Sequence, residues 1–103
     1  MKIQEICQTL RNIVCEEFEV TEDQITSNSR ELRFTEARYV MFSILSKNTR
    51  YKQELIAEYA TTPLKLNRSV VSYGVRKVED WKDTDKLFER KYNNCKQKFI
   101  QEC

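Results

Sequence analysis

Arg68, Ser69, Ser72, Tyr73 and Arg76 are the residues of this chain whose types and spacing could do chemistry. At about 100° per residue they share one side of a helix read over 67–82. Val71, Gly74, Val75, Val78 and Trp81 fall on the buried stripe opposite. The chemistry offered is binding rather than bond-making. Arginine presents a fork that can grip guanine at two atoms, and serine can bond base edges or phosphate. No acid lies among the outward positions before Glu79, so an anionic ligand meets no repulsion over the first turns.

The missing residue types narrow the rest. The 103 residues include no His, one Gly, one Pro and four Cys. Without His there is no Ser-His-Asp or Cys-His nucleophile pair and no His metal ligand. One Gly cannot build a phosphate-cradling loop, so no nucleotide or other cofactor is expected. No two cysteines have C-x-x-C spacing, which leaves metal binding without support. The chain reads as a non-enzyme. So few turn-formers also argue against an all-β fold.

Charge is spread unevenly. Residues 1–63 carry 8 basic and 10 acidic side chains, net −2, and residues 64–103 carry 10 basic and 6 acidic, net +4. No stretch approaches the roughly 20 apolar residues of a membrane span, and the first ten residues lack the apolar run of a signal peptide. A cytoplasmic protein with reduced thiols is expected.

Five helices and one short turn must position the polar face. A first helix is expected over about 2–19, with Ile3, Ile6, Cys7, Leu10, Val14 and Phe18 as its stripe. Thr21 caps a single turn that ends near Thr26. A long helix over about 31–47 is apolar on more than one side and should be central. The next helix is expected over about 50–60, capped by Asn48 or Thr49, with Tyr51, Leu55, Ile56 and Tyr59 inward. Thr61-Thr-Pro63 breaks the chain before the helix over 67–82. Within that helix Gly74 costs about 1 kcal/mol relative to Ala, which a close approach of two helices would explain. The last helix, about 84–101, buries Phe88, Tyr92, Cys95 and Phe99. One domain over 1–103 is expected, with a helix-turn-helix over about 50–82.

Four segments carry a resemblance. They are Ser27-Asn-Ser-Arg30, Arg38, Asn67-Arg-Ser-Val-Val71 and Val75-Arg-Lys-Val-Glu79. In that order and at similar spacing they resemble the C-terminal DNA-binding domain of the bacterial replication initiator DnaA. That family has a Ser-Lys-Ser-Arg-like basic loop, a long helix carrying Arg, and a recognition helix. The recognition helix opens Asp-His-Ser/Thr-Thr-Val and closes Arg-Lys-Ile-Glu. The resemblance spans about residues 3–82. It implies an all-α, Trp-repressor-like bundle of five to six helices with an embedded helix-turn-helix.

It also implies a stand-alone, divergent relative that binds double-stranded DNA. The helix over 67–82 would read the major groove, and the loop at 27–33 the minor groove and backbone. Arg30, Arg38, Lys65 and Lys77 would dock on phosphates, with Arg38 alternatively bracing the loop. Arg68, Ser69 and Asn67 would read bases, with Ser72 and Arg76 beside them. Arg30 would also probe the minor groove, favouring A·T-rich flanks. Asn67, Arg68 and Val70 stand where the family has Asp, His and Thr, so the reading residues differ while the architecture is kept. The turn before the recognition helix is about three residues longer than the family's. The alternative is a helical interaction or regulatory module that kept the fold without sequence-specific DNA binding. It would meet a protein partner, or a second copy, through the last helix.

Overall fold

The structure, a computed structural model, describes residues 2–102. Six helices run in the order α1 (Ile3–Phe18), α2 (Glu22–Ile25), α3 (Leu32–Asn48), α4 (Gln53–Tyr59), α5 (Arg68–Thr84) and α6 (Lys86–Glu102). There is no strand among the described residues. The fold is therefore the expected all-α bundle.

The local chemistry of the chain sets the helix ends. α2 opens on a reciprocal capping box. Thr21 Oγ1 accepts from the Gln24 amide at 3.1 Å, and Gln24 Oε1 accepts from the Thr21 amide at 2.9 Å. α1 stops at Glu19, which adopts φ 56°. Left-handed backbone normally favours glycine there. α4 begins at Gln53, three residues later than expected over 50–60. Thr49 does not cap it. Thr49 Oγ1 donates back to Leu45 O at 2.6 Å and closes α3 instead. The N-cap of α4 is Lys52, whose side chain makes no capping bond.

α3 is the central helix, packed against all five others. Seven of its apolar residues, Phe34, Ala37, Val40, Met41, Phe42, Ile44 and Leu45, are buried on more than one side, together with Ser43. Its tightest neighbour is α5, and Gly74 shows why. A Cβ built there would lie 2.8 Å from Tyr39 Cδ1 and 2.9 Å from Tyr39 Cγ, well inside contact distance. The missing side chain thus lets the Tyr39 ring seat against the α5 backbone. That ring then stacks on Trp81 at a centroid distance of 5.9 Å, and Trp81 meets Phe88 of α6 edge-on at 5.4 Å.

α6 closes the other side by packing on α1. Phe88, Tyr92, Cys95 and Phe99 are all buried in the protein's own core. They are core residues rather than a surface for a partner, while Leu87 and Ile100 of the same helix are exposed. Tyr92 OH and Ser43 Oγ share a buried hydrogen bond of 2.9 Å. Burial raises the Cys7 thiol to about 11 and the Cys95 thiol to about 12, which fits their role as small core residues. Cys103 lies outside the described residues. Leu55 does not point inward as its spacing predicts: it is 41% exposed, while Ala57 and Ala60 are buried beside Ile56.

Candidate nucleic-acid interface

The outward side of α5 begins at a capped end. Asn67 Oδ1 accepts from the Val70 amide at 3.2 Å, so this residue serves first as an N-cap. Arg68, Ser69, Tyr73 and Arg76 follow on the exposed face. Ser72 does not stand free with them. It is half-buried, and its hydroxyl donates to Gln53 Oε1, tying α5 to α4. Lys77 is also half-buried, its ammonium 5.7 Å from the Trp81 ring centroid. It leans toward the aromatic cluster rather than along the outer face.

The turn over 60–67 joins α4 to α5 and carries exposed Lys65. Its Thr62–Pro63 peptide bond is cis. Backbone bonds hold it: Leu64 N to Thr61 O at 2.8 Å and Leu66 N to Ala57 O at 3.2 Å. A buried guanidinium adds to them. Arg11 of α1 donates to Ala60 O at 2.9 Å and to Tyr59 O at 3.2 Å, at the carbonyl end of α4. Nothing in the sequence singled out Arg11. The one available signal was its place beside Leu10 on the buried stripe, where a cation needs several acceptors.

The loop over 26–31 is organised by Arg38. That side chain is only 6% exposed. Its Nε donates to Ile25 O at 2.7 Å, and its Nη1 to Ser29 O at 2.7 Å. Its Nη2 donates to Ser27 O at 2.6 Å and to Gln24 O at 3.1 Å. Four carbonyls from one short segment converge on one fork. The phosphate-docking role expected for Arg38 is therefore replaced by the bracing one, because its donors are committed inside the protein. Burial pulls its pKa below the usual arginine value, yet arginine starts so high that it stays charged. Arg30, at the free end of this loop, is exposed.

Loop and turn face each other across a cleft of about 550 Å³. Ser29, Arg30, Arg38, Tyr39, Leu64 and Val70 are among its lining residues. The cleft brings the Arg30 loop beside the first turn of α5, although 37 positions separate Arg30 from Asn67 in the chain. Among the described residues, Arg30, Lys65, Arg68, Arg76 and Lys77 form no ion pair. The first acid beyond them, Glu79, is taken by Lys47 at 2.7 Å and Lys82 at 3.2 Å. The Lys47 hydrogen bond, joined by that from Lys82, holds its carboxyl below the usual range against some desolvation. Past this point the outer face turns acidic, with exposed Asp80 and Asp83. The acid-free part of the outer face of α5 is thus its first half.

No group of three or more metal-ligating side chains is assembled among the described residues. No helix is long and apolar enough to cross a membrane. Comparison with protein-family models, curated proteins and solved structures returns no match.

Proposed function

We propose that this chain is a double-stranded DNA-binding module, used as the replication-origin-binding domain of DnaA is used. The observation that carries this reading is a set of exposed cations without an ion pair among the described residues: Arg30, which lines the cleft, Lys65 on the turn at its far side, and Arg68 and Arg76 on α5. The first half of α5 lies in the major groove, where Arg68 and Ser69 meet base edges. Asn67 fixes the helix start and presents its remaining amide N–H groups beside them. Arg30 reaches the adjacent minor groove, and Lys65 and Arg76 rest on phosphates. Arg38 takes part only by holding the loop. Ser72 takes part by locking α5 to α4.

Fluorescence anisotropy on a labelled duplex of about 25 base pairs of mixed sequence tests the proposal. Phosphate contacts from Lys65 and Arg76 give a plot of log K against log salt with a slope of about −2, steeper where Arg30 also neutralises a phosphate. Millimolar binding that does not respond to salt overturns it.

A further inference from the structure

Tyr73 stands one turn after Ser69 on α5, at the edge of the outer face nearest α3, and is 48% exposed. A large aromatic at that position needs a reason, because the helix already buries Val71, Gly74 and Val78 on its other side. The ring is also held rather than loose. It meets the Tyr39 ring edge-on at a centroid distance of 6.0 Å and 81°. Tyr39 is in turn stacked on Trp81 and seated in the space left by Gly74. The chain therefore presents a braced apolar surface among polar groups. A tyrosine so braced offers contact area at little conformational cost.

We infer that Tyr73 is a specificity-determining residue whose ring packs on the C5-methyl group of thymine in the major groove. The inference rests on the DNA-binding reading above. Within it, the chemistry follows from position. Tyr73 lies on the second turn of α5, one turn directly after Ser69, so its ring meets the groove wall that Ser69 meets. The one apolar group that wall displays is the thymine methyl. Arg68 and Ser69 can read donors and acceptors but not a methyl, so the aromatic supplies what the polar set lacks. Its hydroxyl is not required for this, and the ring is.

The test uses the full chain and three duplexes of 24 base pairs: alternating dA·dT, the same duplex with deoxyuridine for every thymidine, and alternating dG·dC. The first two differ only in the C5-methyl. Wild type is expected to bind the thymidine duplex more tightly than the deoxyuridine one, by about fourfold for each methyl packed. Tyr73→Ala brings the two affinities together, while Tyr73→Phe keeps them apart. Circular dichroism melting of both variants checks that the bundle is intact, as a half-exposed side chain allows. If wild type binds thymidine and deoxyuridine duplexes equally, or Tyr73→Ala keeps the preference, the inference is overturned and DNA binding stands. If wild type binds none of the three duplexes, the DNA-binding reading falls and this inference falls with it.

Discussion

Two irregular segments flank the start of α5, and a buried arginine holds each. The turn over 60–67 largely holds itself, with backbone bonds from Leu64 to Thr61 and from Leu66 to Ala57. Arg11 adds a cap on carbonyls at the end of α4, where a cation also suits the helix dipole. The loop over 26–31 has backbone-bonded amides only at its start, where the Thr26 and Ser27 amides donate to Glu22 O at 3.0 Å and Gln24 O at 3.4 Å. The Ser29 and Glu31 amides donate only to serine hydroxyls, each at 3.3 Å. The carbonyls of Ile25, Ser27 and Ser29 depend on Arg38, while that of Gln24 accepts from Ser27 Oγ as well as from Arg38. One arginine reinforces order that exists without it; the other supplies most of the order beyond the first two residues of its loop. The cations left for a ligand are those that no carbonyl or carboxylate has claimed.

The sharpest way to break this comparison is Arg38→Met. Leaving several loop carbonyls without a donor should cost about 3 kcal/mol, read by urea unfolding. Amide exchange should accelerate over 26–31 before it does elsewhere. Arg11→Met should cost less, about 2 kcal/mol, because the turn keeps its own bonds. Equal losses at the two sites, or a protected loop in Arg38→Met, would dissolve the distinction.

Arg68→Ala probes the opposite kind of arginine. It should leave unfolding within about 0.5 kcal/mol of wild type and weaken duplex binding by about 1–3 kcal/mol. Gly74→Ala tests the joint between α3 and α5. Helix propensity favours it by about 1 kcal/mol, but the Tyr39 ring must move. A net loss of about 1 kcal/mol with a changed near-ultraviolet signal is expected.

The smallest effect belongs to Glu79, which ends the acid-free face. Its folded pKa is lowered from 4.5, so its contribution is present above that value and lost as pH falls below it. Its side chain is 48% exposed, which keeps the contribution under about 1 kcal/mol. Glu79→Gln should flatten the acid limb of a stability-against-pH curve only slightly.

Most of the helical frame is legible in the sequence, because period 3.6 in Leu10, Val14 and Phe18 or in Val71 and Val78 reports burial directly. Gly74 was legible too, since a lone glycine in a helix interior demands a close neighbour. The start of α4 was not. Thr49 can cap forward or bond backward, and only the packed end of α3 decides. The roles of the arginines were legible only in part. Arg11, Arg38 and Arg68 are alike in one dimension. Whether a guanidinium finds carbonyls depends on segments that meet only in the fold, such as Ile25 with Arg38 and Ala60 with Arg11. Ser72 was hidden for the same reason, as Gln53 reaches it from another helix.

The most direct test of the account is a two-dimensional amide NMR titration of the folded protein with a 25-base-pair duplex. Shifts are predicted for residues 27–33 and 64–77, with α1 and α6 unmoved. Shifts concentrated on α1 and α6, or none at all up to millimolar duplex, would contradict it.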